Sequence, residues 1–137
     1  MTGTVPLALV AATSGRGNLT VTLTNVSSEP VPVWWEVEGP DGPLYDCLSV
    51  ELTQAGGTRT LLLTGDRNSS TVGRVVLAAG AGRTAELDLA AWARTPANGG
   101  DELAAGEHSA TVRYRCEEPD CWRGEVAASP VSVHIAE

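Results

Sequence analysis

Gly106-Glu107-His108-Ser109-Ala110-Thr111-Val112-Arg113-Tyr114-Arg115-Cys116 decides the fold class. Ala110, Val112, Tyr114 and Cys116 alternate with Thr111, Arg113 and Arg115, and a period of two sends one set into a core and the other into water. A Gly-Glu turn leads in, and the polar tip Glu117-Glu118-Pro119-Asp120 follows. A strand bounded in this way is the central hairpin strand of an antiparallel β-sandwich.

The same signal recurs on both sides. From Asn18 to Val26, Leu19, Val21 and Leu23 alternate with Thr20, Thr22 and Thr24, which suit a half-buried pleat. Ser27-Ser28-Glu29-Pro30 is a turn. Val31 to Glu38 then sets Val31, Val33, Trp35 and Val37 against Pro32, Trp34, Glu36 and Glu38. Gly39-Pro40-Asp41-Gly42-Pro43 is a strong turn signal.

Leu44 to Thr53 is a strand with Leu48, Val50 and Leu52 in phase, and Gln54-Ala55-Gly56-Gly57 breaks it. The three leucines between Thr58 and Thr64 leave their facing open, and Gly65 to Ser70 is a loop. Arg74 to Ala79 and Arg83 to Leu89 flank Gly80-Ala81-Gly82. Arg94 to Gly106 is the longest loop, with a helical turn expected at Asp101 to Ala105. Val131, Val133 and Ile135 alternate with Ser132 and His134 near the end. Eight or nine short strands with Gly- and Pro-rich turns predict an all-β antiparallel sandwich, forming one domain over residues 1–137.

Composition narrows the function classes. The chain has 137 residues, 42% of them hydrophobic, enough for a core of its own. All nine basic residues are Arg, Phe is absent and Ile occurs once, a usage that points to GC-rich bacterial coding. A net charge of −8 opposes binding to phosphate backbones and to anionic membrane surfaces. No apolar run approaches the roughly 18 residues that cross a bilayer. The N-terminus lacks a basic segment, and Val5, Leu7 and Leu9 look like a first strand. A cytoplasmic protein is expected if Met1 to Glu137 is the whole chain, and an extracytoplasmic one if a leader has been trimmed.

Two further segments carry a resemblance. Leu77-Ala78-Ala79-Gly80 followed by Thr84-Ala85-Glu86-Leu87-Asp88-Leu89, and Leu103-Ala104-Ala105-Gly106-Glu107-His108 running on to Tyr114, resemble the fifth and sixth strands of bacterial immunoglobulin-like domains. Trp122 to Val126 and Ser129 to Val133 look like the matching last strand. His108 stands where that family usually has Tyr. Tyr114-Arg115-Cys116 is similar to the Y-x-C of antibody domains, but Asn18 to Val26 holds no Cys, so their inter-sheet disulfide is absent. The layout also resembles intracellular proteinase-inhibitor domains of sandwich fold, without the Asn-Pro-Thr-Thr-Gly and Arg-Pro-Trp loops of the chagasin type. The resemblance implies an antiparallel immunoglobulin-like or fibronectin-like β-sandwich of about eight or nine strands, and these motifs imply a fold more than a function.

The candidate chemistry is sparse. Cys116 and Cys121 bracket a four-residue tip, and a hairpin there brings Cα atoms within the roughly 4.4–6.8 Å of a disulfide in an oxidising compartment. Cys47 is then the odd thiol. C-x4-C with no second pair does not match zinc-ligand spacing, and no metal or cofactor is expected. No catalytic signature surrounds Cys47, His108 or His134, and Glu86 and Asp88 share a solvent face, so no enzyme activity is expected. Asn18, Asn25 and Asn68 begin glycosylation triplets of the kind chance produces in a chain rich in Ser and Thr.

The aromatic residues are more informative. Trp35 belongs to the core. Trp34 faces the other way, toward a strand expected to carry Arg113 and Arg115, where it would stack on a guanidinium while Glu36 pairs across the strands. Such a face is either a self-satisfied solvated surface or a binding patch, since Trp and Arg dominate contact hot spots. Glu117, Glu118, Asp120 and Trp122 at the tip extend the patch. The resulting expectation is a non-catalytic module that binds another protein through this face or the tip. A sandwich-type protease inhibitor and a structural or assembly subunit are the alternatives, the last using open strand edges for self-association.

Overall fold

A computed structural model of the chain describes residues 5–14, 17–39, 42–65 and 73–136. In chain order the strands are β1 (Leu7–Thr13), β2 (Asn18–Asn25), β3 (Val31–Trp34), β4 (Val37–Gly39), β5 (Gly42–Leu44), β6 (Leu48–Gln54) and β7 (Gly57–Leu62). There follow β8 (Arg74–Leu77), β9 (Gly82–Asp88), the short helix α1 (Leu89–Ala93), a 3-10 turn at Pro96–Asn98, β10 (Gly106–Cys116), β11 (Gly124–Ala127) and β12 (Val131–Ile135).

The two cleanest alternations organise the two main sheets. β2 lies between β1 and β9, and all three run antiparallel to their neighbours. β10 lies between β6 on one edge and, on the other, β12 along its first half and β11 along its last residues. β7 completes the second sheet on β6. Pro130, which has no N–H to donate, falls in the break between β11 and β12, while Ala128 still bonds Val112 across the gap at 2.9 Å. The fold is an all-β antiparallel sandwich, 57% strand and 7% helix among the described residues.

Alternation places the inner faces against each other. Leu19, Val21 and Leu23 of β2, Ala85 and Leu87 of β9 and Leu7 and Leu9 of β1 join one hydrophobic cluster with Leu48, Val50 and Leu52 of β6 and Ala110, Val112 and Tyr114 of β10. Burying each large apolar side chain stabilises by about 1.5–3 kcal/mol. The leucine run is resolved as well, with Leu61 and Leu63 buried and Leu62 outward.

Three local expectations change. The strand expected from Val31 to Glu38 keeps its inward Val31, Val33, Trp35 and Val37, but changes partner in the middle: β3 pairs β8, whereas β4 pairs β5. Leu44 ends β5, and Tyr45 to Cys47 form a turn closed by Leu48 N–H to the Tyr45 carbonyl before β6 begins. Asp101 to Ala105 form no helical turn. The helix lies earlier, because Asp88 caps it through Ala91 N–H at 3.2 Å and Leu89 and Ala93 bury on one side. The long loop is held elsewhere: Arg59 donates to the carbonyls of Ala93, Asn98 and Glu102, and Asn98 exchanges two bonds with the backbone of Leu62. Met1 to Thr4, Pro40 and Asp41 of the expected turn, and residues 66–70 of the expected loop, including the Asn68 triplet, lie outside the described residues.

Candidate functional site

The proposed Trp34–Arg113–Arg115 face does not assemble. Trp34 ends β3 in register with Arg74 on β8, not beside β10, because β10 takes β6 as its neighbour. Its indole lies over Gly73, where an added Cβ would come within 2.6 Å of the ring. Arg113 instead sits between Glu51 of β6 at 3.4 Å and Glu125 of β11 at 3.6 Å, and Arg115 pairs with Glu117 at 3.0 Å. Glu36 accepts from the Tyr45 hydroxyl at 3.2 Å rather than pairing with an arginine. These exposed pairs add little stability, since such bridges contribute about 0–1 kcal/mol.

Tyr114 links Trp34 to β10. The Tyr114 hydroxyl donates to the Trp34 carbonyl at 2.7 Å and accepts from the Trp34 N–H at 3.1 Å. Its ring stacks between Trp35 and Trp122, each 6.4 Å from it centre to centre, and Trp35 meets Tyr45 edge-on at 5.7 Å. The aromatic series Tyr45, Trp35, Tyr114, Trp122 therefore runs from the core out to the tip.

That series fixes the tip. Register places Cys116 opposite Gly124, so the connection is residues 117–123, longer than the four-residue tip expected. Asp120 takes a positive φ of 63°, the left-handed region that Asp tolerates better than most residues. Trp122 N–H donates to the Pro32 carbonyl at 2.7 Å, and Arg74 Nε donates to the Asp120 carbonyl at 2.8 Å. Trp122 folds over Gly124, whose φ of 152° and missing Cβ leave room for the indole. Glu117 and Asp120 are exposed, and Glu118 and Trp122 are half-buried. Arg115, Glu117, Arg123 and Glu125 border a shallow cleft of about 700 Å³ beside this tip. Neither Arg123 nor Arg74 stands out in the sequence, since both belong to short segments whose neighbours are set by the tertiary fold.

Cys116 and Cys121 stand 4.0 Å apart, and no disulfide joins them. Cys47 also approaches Cys116, because Arg115 N–H bonds the Cys47 carbonyl at 2.8 Å and brings the Tyr45–Cys47 turn against the end of β10. Among the described residues, no group of three or more His, Cys, Asp or Glu side chains is arranged to hold a metal ion. His108 is buried with Nε2 2.7 Å from the Ala104 carbonyl, and exposed His134 meets Glu107 at 3.0 Å.

Burial, then the neighbouring Cys116, pushes the Cys47 thiol above its ordinary 9.0, and burial with the same thiols raises Tyr114. Burial and then Glu36 push Tyr45 up to about 12. Each group holds its proton more tightly folded than unfolded, so its contribution is complete below the ordinary value and is lost as pH rises through the folded one. The urea midpoint is therefore expected to fall steadily above pH 9.0, and Tyr45→Phe to flatten the decline between pH 10.0 and about 12. A midpoint unchanged across that window would contradict this.

A second cleft of about 670 Å³ has Pro43, Tyr45, Trp92 and Pro96 among its walls, with Glu86 and Asp88 at its border. Trp92 reaches it only because α1 forms. Its carboxylates are already engaged: Glu86 accepts from Ser14 and Thr20, and Asp88 caps the helix. Among the described residues no helix is long and apolar enough to cross a membrane.

No protein-family model matches the chain, and no curated protein does. Among solved structures the chain is similar to a GH20 exo-β-N-acetylglucosaminidase from Vibrio harveyi in complex with N-acetylglucosamine, at 19% identity and a TM-score of 0.31. An inactive mutant of that enzyme matches at 19% identity and a TM-score of 0.30. Either match covers 96% of this chain but 18% of the enzyme chain, and a similarity this low carries no functional argument.

Proposed function

We propose that the chain is a single immunoglobulin-like, non-catalytic protein-binding module that meets its partner through the tip, residues 117–122. The observation that carries this reading is that the tip is exposed and yet held. Trp122 is stacked on Tyr114, and hydrogen bonds to Pro32 and from Arg74 tie it to β3 and β8. A loop ordered before contact loses less conformational entropy on binding than a free one. Trp122 supplies an aromatic anchor of the kind found in hot spots. Glu117, Glu118 and Asp120 favour a basic partner surface, in keeping with the net charge of −8.

Capture from a bacterial lysate tests the site. Glu117→Arg with Asp120→Asn, which keeps a residue that tolerates the left-handed backbone at 120, is expected to abolish recovery of the partner while leaving the melting temperature unchanged. Thr84→Arg on the opposite sheet is expected to leave recovery intact. Equal recovery by the tip variant and the parent chain would overturn the assignment.

A further inference from the structure

Cys47 lies far in sequence from Cys116 and Cys121, yet all three meet at the end of β10, with Cys116 between the other two. Their access to solvent differs: Cys116 is wholly buried, Cys47 is 8% exposed, and Cys121 alone is half-buried, on the tip. The aromatic stack and the Arg74–Asp120 bond keep the tip seated, so Cys121 stays 4.0 Å from Cys116 while opening to solvent. We propose that Cys121 is a thiol-modification site for small disulfides of the glutathione class, and that Cys116 resolves the adduct into a Cys116–Cys121 bridge. This inference goes beyond the binding reading and does not depend on it.

The exchange is balanced. The Cys121 thiolate attacks one sulfur of the small disulfide, forming a mixed disulfide and releasing one small thiolate. The Cys116 thiolate then attacks the Cys121 sulfur, forming the internal bond and releasing the second small thiolate. Two protein thiols lose two electrons and two protons, and one small disulfide becomes two small thiols. Burial and the adjacent Cys116 raise the Cys121 pKa, while Arg74 opposes them by favouring the thiolate. Cys116 cannot begin the sequence, because no disulfide in solution reaches it. Cys47 is left reduced behind it.

The test uses the reduced, folded chain exposed to oxidised glutathione, quenched with acid at intervals, then intact mass and non-reducing peptide mapping. The expected course is a transient glutathione adduct on Cys121, replaced by a chain lighter by two hydrogens with Cys116 joined to Cys121. Cys121→Ser is expected to take up no glutathione while its circular dichroism stays native. Cys116→Ala is expected to keep the adduct on Cys121, and Cys116→Ser serves if the alanine variant does not fold. Cys47→Ser should react like the parent chain. A stable adduct on Cys121 of the parent chain, a bridge containing Cys47, or undiminished modification of folded Cys121→Ser would each overturn the proposal.

Discussion

Tyr114→Ala is expected to lower the unfolding free energy by about 4 kcal/mol, within the range for deleting a large buried aromatic ring. The ring is fully buried and stacked on two tryptophans, so its loss opens a cavity and frees Trp122 as well. Tyr114→Phe separates the hydroxyl from the ring. It leaves the Trp34 N–H and carbonyl without the oxygen that serves both, and a cost of about 1–3 kcal/mol is expected from those orphaned groups. Urea unfolding of both variants, followed by tryptophan fluorescence, measures the two parts. A phenylalanine variant as stable as the parent would mean that the β3–β10 link contributes nothing.

Asn25 is the second position where one side chain supports several elements. It is fully buried at the end of β2. Its amide nitrogen donates to the carbonyls of Glu29 at 2.7 Å and Leu77 at 2.9 Å, and its oxygen accepts from the Ser27 N–H and hydroxyl. The residue therefore fastens the Ser27–Pro30 turn to β8. Asn25→Ala removes all four bonds, and a loss of about 2–4 kcal/mol is expected at about 1 kcal/mol for each, offset by whatever water reaches the turn. Asn25→Asp keeps the shape but not the donors, and should also destabilise because a carboxylate would face two carbonyl oxygens. Thermal melts of the two variants check this, and an aspartate variant equal to the parent would contradict it. The same burial leaves Asn25, the first residue of a glycosylation triplet, inaccessible in the folded chain.

The strand content was legible because alternation is a local property. Leu19 to Thr24 and Ala110 to Cys116 each show in a few residues which face is apolar, and a sheet face must bury its apolar side wherever its partner lies. The inward placing of Trp35 was readable for the same reason. The helix at Leu89–Ala93 also left a local trace, the Asp88 cap before an alanine-rich turn, but Leu87 and Leu89 continued the strand pattern and masked it.

The candidate site divides along the same line. Glu117, Glu118, Asp120 and Trp122 were identifiable as a polar tip with an aromatic beside it, because a turn is encoded by its own residues. The Trp34 face was not, since placing Trp34 against Arg113 required knowing which strand lies beside β10. Both Leu44–Thr53 and Val31–Glu38 have suitable alternation, and pairing between distant strands is decided by how the whole inner surface packs.

By itself the sequence determined that this chain forms antiparallel strands around an aliphatic core, where turns fall, and that its surface is acidic. These follow from side-chain periodicity, backbone preference and charge, which act over a few residues. Only the tertiary structure decided that Tyr114 bonds the Trp34 backbone, that Arg74 holds Asp120, and that Cys47 meets Cys116. Those contacts join segments remote in the chain, and they exist because burying two sheet faces together leaves few registers in which every inner side chain fits and every buried polar group finds a partner.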